Sequence, residues 1–275
     1  MVKEALSPLG PDYIRQLEQG LTGGWIDAYE NKGKTTGAFS CGVYGVHPYV
    51  LLNYTDTQDD VFTLAHEMGH AVHSYRSDQA QTYANHDYAI FVAEVASTVN
   101  EVLLTLYLLE KETDPRKRAY YLNHFLEGFR TTLFRQTLFA EFEKQAHEMA
   151  EAGQPLTPEA LNQVYRDLNR QYYKGAVVDP LQEMEWARIP HFYNAFYVYQ
   201  YATGFSAAVA IANKIRQTGD ASGNLAFLQT GGSDYPIQEL KLAGVDLSKP
   251  DTVEAALDVF AKSVAELEAL LQGLE

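Results

Sequence analysis

The chain has 275 residues, 46% of them hydrophobic, enough to bury a full core as one domain or as one domain with a helical lobe. A formal charge of −15 leaves no basic stripe to displace phosphate counterions, which argues against nucleic acid as a partner. The lone cysteine, Cys41, excludes an intrachain disulfide framework. No uninterrupted apolar run approaches 18 residues, and Met1-Val2-Lys3-Glu4-Ala5-Leu6 lacks a signal-peptide core, so no membrane partner and a cytoplasmic setting are expected.

Along the chain, Pro8 to Pro11 punctuates a first helix that resumes through Asp12-Tyr13-Ile14-Arg15-Gln16-Leu17. Residues 20 to 57 change character, with glycines spread among aromatic and β-branched residues. Phe39, Val43, Tyr44 and Tyr49-Val50-Leu51-Leu52-Asn53-Tyr54 suggest two or three short antiparallel strands, with Cys41 as a small packed hairpin residue. From Asp59 onward the pattern is helical. Asp114-Pro115, Gly153-Gln154-Pro155 with Thr157-Pro158, and Gly231-Gly232-Ser233-Asp234 separate the helices. The predicted fold is mainly α, with a small antiparallel sheet beside one chemically loaded helix.

That helix carries His66-Glu67-Met68-Gly69-His70. Two histidines four apart project from one helical face, so both imidazoles can reach a single Zn²⁺. Glu67 lies about 100° around the helix, free to act as a general base toward water. Five residues can recur by chance, so the third ligand decides. The long metzincin signature needs Gly at position 73 and His at position 76, where this chain has His73 and Arg76. His73 is about 10 Å along the axis from His66, too far to close a tetrahedron, and reads as a supporting or packing residue.

The helical pattern is expected to run to about Tyr75 and break through Arg76-Ser77-Asp78-Gln79. A second helix follows over Ala89 to Leu104, and Glu94 is alone in its first dozen, largely apolar residues. A buried carboxylate needs a strong partner: a zinc ion, or else an arginine or a tyrosine hydroxyl. Glu101, seven residues on, either hydrogen-bonds a ligating imidazole or forms a peripheral salt bridge.

The motif at 66–70, followed by Phe91-Val92-Ala93-Glu94-Val95-Ala96-Ser97-Thr98-Val99-Asn100-Glu101, resembles the zinc site of the thimet oligopeptidase family, and more closely its bacterial branch, oligoendopeptidase F. Trp25-Ile26-Asp27-Ala28-Tyr29-Glu30-Asn31-Lys32-Gly33-Lys34, Leu126-Glu127-Gly128-Phe129-Arg130, Arg188-Ile189-Pro190-His191-Phe192-Tyr193 and Gln200-Tyr201-Ala202-Thr203-Gly204-Phe205-Ser206 carry the resemblance nearly end to end. It implies a zincin-like, cytoplasmic endopeptidase with one Zn²⁺ on His66, His70 and Glu94, acting on short unstructured peptides in a deep channel. It also implies that 1–275 is a single catalytic domain lacking the family's long N-terminal half. Selectivity is then looser than in relatives, or a second copy in a homo-oligomer closes the cleft.

Two further regions bear on chemistry. Gly37 to Gly45 suits an exposed strand edge that holds an extended peptide through backbone hydrogen bonds; an ordinary glycine-bearing hairpin is the alternative. In the tyrosine-rich segment 191–206, the resemblance implies donors to an oxyanion, matching uniquely at Tyr199 and less so at His191 and Tyr193. A helix starting near Pro190 would carry Tyr193 and Tyr199 about 120° apart. Endopeptidase activity competes with two other readings: a carboxypeptidase or dipeptidase variant of the site, and a non-catalytic or weakly active zinc peptide-binding domain.

Overall fold

The computed structural model describes residues 1–274, which form two compact units: 1–126 with 204–274, and Glu127–Thr203. In the first unit, α1 (Val2–Ala5) and α2 (Pro11–Thr22) precede three short strands: β1 (Ile26–Asp27), β2 (Phe39–Cys41) and β3 (Tyr49–Leu51). The long helices α3 (Gln58–Ala80) and α4 (Ile90–Lys111) follow, and α5 (Pro115–Gly128) comes after them. Helix α8 (Tyr199–Thr218) ends in this unit, which continues through α9 (Ser222–Phe227), α10 (Pro236–Leu242) and α11 (Asp251–Gln272).

Helix α3 starts where a capping box starts it. Asp60 N–H donates to Thr57 Oγ1 at 3.2 Å, and the Asp60 carboxylate accepts from Thr57 and Thr55. Those hydrogen bonds, the Thr57 backbone first, hold the Asp60 carboxyl down at about 2. The helix runs five residues past the expected break at Tyr75. Tertiary partners keep its polar end helical: Arg76 donates to Gln16 at 2.8 Å, Ser77 to the His86 carbonyl at 2.5 Å, and Asp78 meets His86 Nδ1 at 2.9 Å.

Helices α3 and α4 form the heart of the unit, and Gly69 sets their separation. A Cβ at Gly69 would stand 2.5 Å from Ser97 Cα, so only hydrogen fits there. Two buried hydrogen bonds lock the register: Asn100 Nδ2 donates to the Ala65 carbonyl at 2.9 Å, and Tyr13 donates to Asn100 Oδ1 at 2.9 Å. By length and mean hydropathy α4 could cross a membrane, although no uninterrupted apolar run was expected to do so. Two thirds of that stretch is buried inside the protein, and it carries Glu94, Asn100 and Glu101, so the apolar residues serve a core.

The sheet, in order β1-β3-β2, is mixed rather than wholly antiparallel. The expected antiparallel pair is β2 with β3, matching Phe39 with Leu51 and Cys41 with Tyr49. β1 joins the other side of β3 in parallel, because the chain crosses to the far edge before returning through the centre. Val50 N–H donates to the Trp25 carbonyl, so by alternation the Ser40 backbone groups face the open edge of β2. Cys41 is exposed on that edge strand, not packed, because Phe39 and Cys41 share the outer face. β2 packs on α3, where Gly42 comes so close that a Cβ would stand 2.9 Å from Ser74 Cβ.

In the second unit a π-helical turn (Phe129–Phe134) leads into α6 (Arg135–Glu151), and α7 (Pro158–Tyr172) follows the predicted break, capped by Thr157. Its core is Leu138, Phe139, Phe142, Tyr165, Leu168, Ile189 and Val198. The buried Glu185 carboxylate organises this unit's polar interior, accepting from Tyr165 at 2.6 Å, Arg135 at 2.5 Å and Arg188 at 2.6 Å.

Segment 189–199 departs from expectation. Pro190 does sit at the first position of a helix, but that helix is a 3₁₀ turn ending at Tyr193. Phe196 then takes a left-handed φ of 58°, its N–H donating to Glu143 at 2.7 Å, and α8 begins only at Tyr199. Tyr193 and Tyr199 therefore lie on different elements, and the 120° relation does not apply.

Candidate metal centre

His66 and His70 stand one turn apart on α3, and Glu94 projects from α4, one turn before Ser97 at the Gly69 contact. Their ligand atoms converge. His66 Nε2 lies 3.1 Å from His70 Nε2 and 3.4 Å from Glu94 Oε2, and His70 Nε2 lies 3.7 Å from Glu94 Oε2. An ion bound tetrahedrally with zinc-like bonds of 2.0–2.1 Å separates its ligands by about 3.4 Å, so the triangle has the size such an ion needs. Among the described residues, this is the group of histidine, cysteine and acidic side chains gathered closely enough to hold a metal.

The surroundings fit the same reading. Glu101 accepts a hydrogen bond from His66 Nδ1, which turns the Nε2 lone pair toward the other donors. Of the two roles open to Glu101, the hydrogen bond to the imidazole is the one formed. Burial alone would lower the basicity of His66, but the Glu101 and Glu94 carboxylates raise it to about 10. Burial and the charge on His66 push His70 down to about 4. Burial would raise the Glu94 carboxyl, yet His66 and His70 hold it below its ordinary value. Without a metal, the extra proton thus sits on His66, and an ion bound there would displace it.

Glu67 is buried at 7% exposure, and its Oε2 has no hydrogen-bond partner in the protein. Burial raises its carboxyl above the ordinary value. An orphaned, more basic carboxylate next to the ligand triangle is suited to accept a proton from water. A cavity of about 310 Å³ opens against Glu67, His66 and Glu101 and is bounded by Phe62 and His124, whose rings lie 4.4 Å apart.

His73 is a packing residue. Its ring stacks on Tyr88 with centroids 3.7 Å apart and planes within 7°, fully buried, with neither nitrogen hydrogen-bonded. Burial, then the nearby His70, pushes it down to about 3, so it stays neutral. Sequence reasoning missed Gly69 and Asn100, which set the distance and register between the ligand-bearing helices. Asn100 carried the same signal as Glu94, a polar side chain inside an apolar helical run.

The expected oxyanion donors lie in the second unit and are described there. His191 stacks with Tyr197 at 5.7 Å and meets the edge of Tyr201 at 6.0 Å, and the Tyr201 hydroxyl donates to that of Tyr197 at 3.1 Å. Tyr193 is 91% exposed and Tyr199 39% exposed. Neither tyrosine is spent as a core residue.

The family model for peptidase family M3 matches residues 2–259. The chain is 51% identical over 275 residues to the oligopeptidase PepF of Bacillus subtilis strain 168, covering 99% of itself and 41% of that protein. It is 45% identical over 273 residues to an oligoendopeptidase F homolog of Lactococcus lactis strain IL1403, covering 98% of itself and 45% of that protein. The crystal structure of oligoendopeptidase-F from Enterococcus faecium superposes with a TM-score of 0.75 at 43% identity, over 98% of this chain and 43% of that one. The chain thus spans less than half the length of these relatives. With the match running from the first helix into the last, the chain belongs to peptidase family M3, in its oligoendopeptidase F branch.

Proposed function

We propose that the chain carries the site of a zinc metalloendopeptidase that hydrolyses peptide bonds in short, unstructured oligopeptides in the cytoplasm. The observation that carries this reading is the convergence of His66 Nε2, His70 Nε2 and Glu94 Oε2, with the unpartnered Glu67 Oε2 beside them. When bound, the ion supplies a Lewis acid that acidifies water and polarises a carbonyl.

The chain's own residues do the rest. Glu67 Oε2 takes the proton from the attacking water and returns it to the leaving amine. Glu101 holds the His66 ring in its ligating orientation. The open edge of β2, with the Ser40 backbone N–H and C=O free to pair, holds an extended substrate with little sequence preference. Tyr199, with His191 and Tyr193, supplies donors to the oxyanion. Folded proteins are poor substrates, because the strand-edge mode needs an extended backbone.

The test is Glu67→Gln. The variant is expected to keep a wild-type metal content and lose turnover of a quenched-fluorescence peptide, because an amide cannot take up the proton. Undiminished cleavage by Glu67→Gln sinks the assignment of the base. A second reading of the same ligand triangle is a weakly active or peptide-binding zinc domain. In that case wild type and Glu67→Gln bind the peptide alike and neither turns it over.

A further inference from the structure

A second polar cleft, of about 650 Å³, lies between α2 and the C-terminal turns of α3 and shares no residue with the metal centre. Its two acidic residues are already paired. Asp12 is taken by Arg15 at 2.6 Å, and Glu18 is taken by Lys3. Arg76 lines the cleft, is only 7% exposed, and has Gln16 Oε1 at 2.8 Å as its hydrogen-bond acceptor. Its Nε is buried with no partner at all. Apart from the exposed Arg116, the other arginines of the described residues each pair with a carboxylate. Arg76 forms no ion pair of its own; burial outweighs the favourable charge of Asp12 and lowers the proton affinity of the guanidinium.

We infer that this cleft binds a short peptide by its C-terminal carboxylate, with Arg76 as the anchoring cation. A guanidinium presents a planar fork of donors that matches a carboxylate. Gln19 and Gln79 line the same cleft, and neither side chain hydrogen-bonds within the described residues. Each primary amide offers both donor and acceptor, the complement of a peptide unit. The volume lies within the range of about 300–1,000 Å³ typical of small-ligand sites. Arg76 sits six residues beyond His70, about 9 Å along α3, so an occupant braces the helix that carries two of the metal-binding side chains.

The experiment uses N-acetyl-glycyl-glycine and its C-terminal amide as probes on the full chain, with and without a chelator, read by calorimetry and by the melting temperature. The free acid is expected to bind and raise the melting temperature, with or without the metal. The amide is expected to bind at least tenfold more weakly. Arg76→Met gives up the Gln16 hydrogen bond together with a buried charge; it is expected to keep the fold and to lose the response to the acid. Gln79→Leu, at a position further along the cleft, is expected to weaken binding severalfold and gives a second variant if Arg76→Met does not fold. Equal binding of acid and amide, equal binding by wild type and Arg76→Met, or loss of binding on chelation would overturn the assignment. So would binding of poly-glutamate without binding of the small acid, which would make the cleft a docking surface for an acidic polypeptide. The chelated arm needs no peptidase activity, so its outcome is independent of the proposed hydrolysis.

Discussion

The ligand group on α3 and α4 and the aromatic segment 191–206 are built on opposite kinds of backbone. The first rests on two long helices, where a spacing of four residues becomes a fixed distance and a shared face. The second crosses a 3₁₀ turn, a left-handed residue at Phe196 and the first turn of a new helix. Residue spacing therefore translates into geometry in one region and not in the other. Regular helix is where sequence separation can be read as direction in space; irregular backbone is where that reading fails.

The sharpest way to break the contrast is to remove a helix-borne ligand. His66→Ala and Glu94→Ala should each reduce bound metal, measured by elemental analysis after dialysis, to a small fraction of the wild-type content, since each takes one of three ligands. Near-normal metal in either variant would show that the triangle is not the site. On the irregular side, losing one oxyanion donor typically costs about 10²–10³ in kcat, so Tyr199→Phe should lower kcat by that order with KM and metal content little changed. If kcat is unaffected, the donor role belongs elsewhere in the segment.

Smaller effects sharpen the picture of the helical region. Removing the outer partner of a metal-binding imidazole typically costs about 10–100-fold in metal affinity, and Glu101→Gln should fall in that range while leaving the fold intact. The same network gives a pH dependence. The His66 ring, raised to about 10 in the absence of metal, must give up its proton to bind, so affinity should climb by up to about tenfold per pH unit below that value. A pH-independent affinity between 6 and 8 would contradict a protonated His66 in the metal-free chain. Gly69→Ala forces a methyl against Ser97 and should cost about 1–3 kcal/mol of stability by chemical denaturation, with weaker metal binding as the helices part. Wild-type stability and affinity would remove the close approach from the account.

Much of the site was legible because each signal was local or chemically loud. His66, Glu67 and His70 lie within one motif, and Glu94 stands out as a carboxylate in an apolar run. What escaped depended on contacts between distant segments. The last turns of α3 look like a break in the sequence and are helical because Gln16 and His86 satisfy their polar side chains. The parallel β1–β3 pair cannot be read from strand propensity, since nothing local encodes which strand takes the centre. Cys41 faces outward because of a pleat direction set by pairing rather than by its own character. The arrangement in two units, with segment 127–203 forming its own core, likewise comes from contacts that composition does not display.

The close packing at Gly69 also bears on ion size. Ligand separations of 3.1 to 3.7 Å suit bonds near 2 Å in a tetrahedral arrangement, whereas bonds of about 2.3–2.6 Å in that same arrangement call for separations of about 3.8–4.2 Å. Widening the triangle that far means sliding α4 away from α3 and stretching the buried hydrogen bonds of Asn100 to Ala65 and Tyr13. A glycine that coordinates nothing thus helps turn the helix pair into a calliper for a tetrahedrally held ion, set to bonds near 2 Å.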